Sequence, residues 1–184
     1  MAESVDAPDL KSVDHCGRGG SSPPAPMVLD GFLNPGTFLE MVRHIKDVNF
    51  PWCYPNSPGE PEQYCSILYF DHQFNRSISP QLMHIMRSVT TQLNVISILK
   101  IKVNATPRNA PEQIWHTDWQ ISTPSKTCVL YLNDCDGYTE FRDGQRVVSK
   151  ENTAVIFDTN LEHRGVPQTD VDRRLVLNIT YFEK

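Results

Sequence analysis

The sequence predicts a mostly β domain in which N-terminal helices pack outside a β-sandwich or jelly roll. Three observations carry this. Helical periodicity is confined to the first half of the chain. The second half is a succession of short strand-like runs separated by turn residues. A length of 184 residues suits one domain with one core plus a tail.

The elements follow in order. Residues 1 to 26 are rich in Gly, Ser, Pro and Asp. GRGGSSPPAP buries too little surface to offset the entropy of ordering it, so a disordered tail is predicted, with a docking segment as the alternative. The folded domain then spans residues 27 to 184. Met27, Val28 and Leu29 predict a short strand. Pro35-Gly36 opens a helix in which Phe38, Leu39, Met41, Val42 and Ile45 fall near helical spacing. Phe50, Trp52 and Tyr54 alternate as an edge strand does, although Pro51 and Pro55 limit its pairing. Residues 55 to 64 are Pro-rich and polar, hence loop, and Ser66 to Phe70 predicts another strand. Ser79-Pro80 is a helix start with Ser as N-cap and Pro at N1, and Leu82, Ile85, Met86 and Val89 mark one face. His44 and His84 lie on these helices and read as surface or satisfied side chains rather than ligands.

From residue 97 onward strand follows strand. The candidates are residues 97–104, 115–119, 127–133, 138–142, 145–149, 153–157 and 174–182. Asp143-Gly144 is a two-residue hairpin signal. Asp134-Cys135-Asp136-Gly137 lacks the remaining ligand positions of a calcium loop and reads as a turn. In the last strand, Arg174, Val176, Asn178 and Thr180 share one face and Arg173, Leu175, Leu177, Ile179 and Tyr181 the other. The second, more apolar set is expected to pack under the helices. The first, mixed set is expected to line a polar pocket.

Composition excludes several classes of function. The formal charge is −5, from 17 basic and 22 acidic residues, with no basic run beyond pairs such as Arg173-Arg174. Phosphate binding needs clustered Lys and Arg, so nucleic-acid binding is not expected. No stretch approaches the roughly 20 apolar residues of a membrane helix, and MAESVDAPDL lacks the basic start and apolar run of a secretory signal. The five cysteines are odd in number and form no CxxC, which argues against a disulfide framework or zinc knuckle and for a reducing cytoplasm. The sequence leaves the oligomeric state open.

One constellation carries chemistry. IWHTDWQ places His116 and Asp118 two apart, which on a strand aims an imidazole and a carboxylate to the same side. Alone this is a weak signal. Downstream, His163 follows the strand candidate Ala154 to Phe157 and the turn Asp158-Thr159-Asn160, so a neighbouring strand can supply a third ligand. Two histidines and one carboxylate form a facial triad that leaves iron positions open for other ligands. Arg174 lies eleven positions after His163, at the head of RLVLNITYF, and a guanidinium provides a bidentate fork for a carboxylate.

The segments WHTDWQ, TCVLYLNDCDGYTEF, AVIFDTN, HRGVPQTD and RRLVLNITYF in series resemble the 2-oxoglutarate/Fe(II)-dependent oxygenase superfamily. The prolyl-hydroxylase-like branch fits best, with similarity to small oxygenases of cyanophages and marine bacteria. The resemblance covers residues 99 to 184 well and 28 to 98 more loosely. It implies a double-stranded β-helix, jelly-roll or cupin-like, with the N-terminal helices outside it. It implies Fe(II) on His116, Asp118 and His163, and Arg174 on the distal carboxylate of 2-oxoglutarate. Tyr131 is implied as a hydrogen-bond partner of that carboxylate and Asn104 as a further pocket residue. The implied reaction is a dioxygenase hydroxylation of a prolyl, peptide or small-molecule substrate using O2, with ascorbate in support and succinate and CO2 released. Two rivals stand beside it. One is a cupin-like metal-binding module without oxygenase activity. The other is a zinc hydrolase, which would leave Arg174 without a task.

Overall fold

A computed structural model describes residues 24–54, 62–120 and 122–184 of the chain. The predicted tail falls almost wholly outside these residues, as does most of the predicted 55–64 loop.

Ten strands and two helices are present among the described residues. In chain order they are β1 (Met27–Leu29), α1 (Pro35–Ile45), β2 (Tyr64–Phe70), β3 (Gln73–Phe74), α2 (Pro80–Gln92), β4 (Val95–Pro107), β5 (Lys126–Tyr131), β6 (Tyr138–Phe141), β7 (Arg146–Val148), β8 (Ala154–Asp158), β9 (His163–Val166) and β10 (Arg173–Glu183). They form a seven-stranded sheet, β1-β8-β5-β10-β4-β2-β3, and a three-stranded sheet, β7-β6-β9. All pairings are antiparallel. The molecule is thus mostly β, with two antiparallel sheets arranged as in a jelly roll.

Strand alternation divides the interior in two. Leu175, Leu177, Ile179 and Tyr181 of β10, with Ile101 and Val103 of β4, pack against Phe38, Met41 and Ile45 of α1 and Leu82, Ile85, Met86 and Val89 of α2. The opposite face of the large sheet meets the small one through Val129, Tyr131, Phe141, Val147, Val155, Phe157 and Val176. The two helices begin where their caps dictate. Asn34 Oδ1 accepts from the Gly36 N–H at 2.9 Å, and Ser79 Oγ accepts from the Leu82 N–H at 3.1 Å.

Three local expectations are corrected. Residues 115–119 do not form a strand; only His116 makes an isolated bridge, to His163. Phe50, Trp52 and Tyr54 do not form one either, since proline limits pairing to a single Cys53–Cys65 bridge. The β6–β7 loop has three residues, not two: Phe141 and Gln145 are hydrogen-bonded across it at 2.9 Å, and Gly144 takes φ +87°. A type I turn followed by a left-handed residue explains why the glycine is last. The two-residue hairpin loop is instead Asp71-His72, both at positive φ, between β2 and β3. The segment 134–137 is an irregular connection with a bend at Asp136, whose carboxylate accepts from the Thr169 N–H at 2.7 Å.

Candidate metal centre

A cavity of about 570 Å³ opens between the sheets. Residues of β4, β5 and β10 line one side, residues of β6 and β9 the other, and the irregular segment 111–118 closes over it.

The structure brings His116, Asp118 and His163 together. One candidate ligand atom from each lies within 4.8 Å of the others, so the group could hold a metal ion. The means differ from the sequence expectation. His163 is the first residue of β9, and paired N–H···O bonds of 3.0 Å in both directions set His116 opposite it. The two rings lie 4.6 Å apart. Asp118 then turns in, with Oδ2 3.6 Å from His163 Nε2.

Neighbouring groups orient all three. His116 Nδ1 donates to the Ile114 carbonyl and His163 Nδ1 to the Leu161 carbonyl, each at 3.0 Å. A ring nitrogen facing a carbonyl must carry the proton, so Nε2 keeps its lone pair in both neutral rings. Burial pushes the His163 pKa below its ordinary value, with Asp118 opposing, which favours the neutral, ligating form. Asn178 Nδ2 donates to both Asp118 oxygens at 3.2 Å. This chemistry suits a divalent transition metal: two imidazole nitrogens and a carboxylate, each fixed from behind.

Segment 111–118 is irregular but held. Its Gln113 accepts from the Gly165 N–H at 3.1 Å, and Glu112 pairs with Arg164 at 2.6 Å. Trp115 lies between two guanidinium groups, those of Arg142 at 4.3 Å and Arg164 at 4.7 Å from its ring centroid. Arg164 also donates to the buried Glu140 at 2.7 Å, and Arg146 joins from the other side at 2.8 Å. These contacts, first Arg164 and then Arg146, hold the Glu140 carboxyl below its ordinary pKa. Trp119 does not line the cavity; it lies beside Phe70 and Lys100.

Arg174 is buried in the cavity wall, whereas Arg173 is exposed at the strand end near Tyr64. The Arg174 guanidinium donates to Ser149 Oγ at 2.7 Å and Thr139 Oγ1 at 3.1 Å. Among the described residues it forms no ion pair with a carboxylate. Burial works against its charge. A buried guanidinium without an anion is costly, and its cavity position fits a carboxylate ligand. Gly137 and Gly165 make this arrangement possible. A Cβ on Gly137 would meet Arg174 Cδ at 2.9 Å, and one on Gly165 would meet Gln113 Oε1 at 2.8 Å.

The remaining sequence candidates separate. Asn104 lines the cavity, and its buried Oδ1 has no hydrogen-bond partner. Tyr131 does not line it. Its hydroxyl lies 3.0 Å from the Val147 carbonyl, to which it donates, and 2.9 Å from Thr139 Oγ1, while its ring sits 5.3 Å from Arg174 Cζ. Tyr131 therefore supports Arg174 and Thr139 from within the core rather than presenting its hydroxyl to a ligand. Sequence reasoning missed Ser149, Thr139 and Gln113, which carry no local signal. The role of Asn178 was also missed, although alternation already placed it on the face of Arg174.

A scan against protein-family models gives no match, and a search of curated proteins gives none. Solved structures do match. A prolyl-4-hydroxylase of Pseudomonas putida aligns with a TM-score of 0.62 at 14% identity, covering 86% of this chain and 92% of that one. HygX of Streptomyces hygroscopicus, solved with nickel and 2-oxoglutarate bound, aligns with a TM-score of 0.62 at 11% identity over 86% and 83% of the two chains. The fold is that of the 2-oxoglutarate/Fe(II)-dependent oxygenases. A third member of this oxygenase fold is a Trichoplax adhaerens prolyl hydroxylase solved with a peptide of hypoxia inducible factor. It aligns with a TM-score of 0.59 at 14% identity over 86% and 83% of the two chains.

Proposed function

We propose that the protein is a non-haem Fe(II)- and 2-oxoglutarate-dependent dioxygenase that hydroxylates a peptide or small-molecule substrate. The observation that carries this reading is one cavity holding both the His116, Asp118 and His163 cluster and a buried guanidinium, Arg174, with no carboxylate partner among the described residues. A zinc hydrolase needs the first feature but not the second.

In this reading His116 Nε2, Asp118 and His163 Nε2 hold the iron, and Arg174 holds the distal carboxylate of 2-oxoglutarate. Iron with 2-oxoglutarate and O2 supplies oxidative decarboxylation to succinate and CO2 coupled to oxidation of the substrate. The chain supplies geometry. Ser149 and Thr139 aim the guanidinium, Asn178 fixes the Asp118 carboxylate, and the two backbone carbonyls behind His116 and His163 fix their tautomers. Val129 and Val176 give the cavity an apolar patch that limits water beside the cosubstrate.

The test is Fe(II)-dependent formation of succinate from 2-oxoglutarate, with His116→Ala, Asp118→Ala and His163→Ala as comparisons. Each variant is expected to remain folded by circular dichroism and to lose turnover. Full activity in any one removes that residue from the metal site. Tight iron binding with no succinate formation under any substrate identifies a metal-binding module without oxygenase activity.

A further inference from the structure

The cavity carries charge that neither the metal cluster nor Arg174 uses. On β4, Ile101, Val103 and Ala105 are buried in the helix-side core, and the alternate residues Lys100, Lys102, Asn104 and Thr106 line the cavity. The pairing of β4 with β10 sets Arg174 opposite Thr106, Val176 opposite Asn104, Asn178 opposite Lys102 and Thr180 opposite Lys100. Arg174 and Asn178 are four residues apart, about 13 Å along a strand. The arginine and the lysines therefore serve different ends of the cavity. Lys102 stands across from the residue that binds Asp118, so a molecule it holds lies beside the metal cluster.

A lysine facing a cavity offers three N–H donors and a charge to an anion bound there. Lys102 makes no ion pair among the described residues. The Lys100 ammonium lies 5.6 Å from the Trp119 ring centroid. Of the cavity carboxylates, Asp118 is held by Asn178, Glu112 is paired with Arg164, and Glu62 stands in an exposed position at the rim. Two further atoms flank Lys102. Asn104 Oδ1, two residues along, and Asn178 Oδ1, directly across, are both buried without a hydrogen-bond partner. Both are acceptors awaiting an N–H or O–H donor.

We propose that the substrate carries a carboxylate beside an amide N–H, the carboxylate held by Lys102 and the N–H offered to the asparagine oxygens. This rests on the oxygenase reading for its chemistry, but the binding site itself does not. An N-acylamino acid and a peptide with an acidic residue share this chemistry.

The experiment uses the full chain and matched pairs of probes: N-acetylamino acids against their amides, and short peptides containing Glu or Asp against the same peptides with Gln or Asn. Two measurements run in parallel, succinate formation with Fe(II) and 2-oxoglutarate, and quenching of tryptophan fluorescence by each probe without turnover. Acid members are expected to bind and stimulate at least about tenfold better than their neutral partners, the size of one charge-assisted contact. Lys102→Met is expected to remove that preference, Lys102→Arg to keep most of it, and the 2-oxoglutarate requirement to stay within about twofold. The arm that responds identifies a small acid or a peptide as the source. Neutral members that equal the acids in both measurements overturn the proposal. So does a Lys102→Met variant that loses 2-oxoglutarate affinity and keeps its preference among probes, because the lysine then serves the cosubstrate. Absence of succinate formation beside an acid-selective fluorescence response rejects the oxygenase reading and retains the anion site.

Discussion

At the scale of single residues, Arg174 and Arg173 are adjacent in sequence and opposite in consequence. Arg174 is buried against Ser149, Thr139 and Tyr131, and Arg173 is exposed. Removing the buried partner of a carboxylate costs on the order of 2–4 kcal/mol. Arg174→Ala is therefore expected to raise the 2-oxoglutarate requirement by roughly 30- to 1000-fold, and Arg173→Ala by only a few-fold. Apparent cosubstrate affinities of the two variants, with metal content checked, decide this; the reverse order inverts the facing assignment of β10. His163 makes a second prediction. Its folded pKa lies below the ordinary 6.5 because of burial. The unfolded chain thus takes up a proton near 6.5 that the folded chain refuses, and stability present above that pH declines as pH falls through it. Melting temperatures of the metal-free protein are expected to fall between pH 7.5 and about 5.5. His163→Gln, which cannot take the proton, should flatten that slope, and an equal slope in both proteins assigns the effect elsewhere.

At the scale of elements, the candidate metal cluster depends on strands too short to announce themselves. HRGV is four residues long and carries two charged or polar side chains and a glycine, so no alternation marks it as β9. It becomes a strand because β6 lies beside it, pairing Phe141 with His163 and Thr139 with Gly165. The segment 111–118 shows the converse. IWHTDWQ alternates like a strand, yet a single bridge, the Glu112–Arg164 pair and the stacked Trp115 hold it as an irregular chain. The residues of the candidate metal cluster were legible in the sequence, then, while the backbone that brings two of them together was not. Gly137 tests the packing of elements around Arg174. A Cβ there meets Arg174 Cδ and two backbone atoms, Gln168 N and Val166 O, at 2.9–3.0 Å. Backbone cannot yield as a side-chain tip does, so Gly137→Ala is expected to cost about 1–3 kcal/mol. That corresponds to a melting temperature lower by about 3–10 °C, accompanied by weaker 2-oxoglutarate binding. A variant unchanged in both shows that the β5–β6 turn has room to move.

At the scale of the whole molecule, one sheet serves two interiors. Its odd-numbered β10 residues meet the helices in a dry core, and its even-numbered residues meet the small sheet and the cavity. The helix-side core makes the scaffold rigid, and the cavity side can then carry buried polar groups such as Arg174, Asn178 and Asn104. Among the described residues no helix is long and apolar enough to cross a membrane. For residues 1 to 26 the sequence predicts no part in a core, because GRGGSSPPAP has little to bury. Deleting them is expected to leave the melting temperature nearly unchanged, and a large drop would mean that the tail packs on the domain.

The sequence by itself determined the binary pattern: where strands alternate, where Pro35-Gly36 and Ser79-Pro80 open helices, and which face of β10 is apolar. These follow from local stereochemistry and from side-chain periodicity, which any fold must respect. It also marked His116, Asp118, His163 and Arg174 as chemically matched. Only the tertiary structure decided how they meet. It made β9 from an unremarkable tetrapeptide and turned Tyr131 into a core support. It also set Lys102 and Asn178 side by side across two strands 76 positions apart in their pairing. Such contacts depend on which strands become neighbours, and that choice is made by the packing of the whole sheet rather than by any local run of residues.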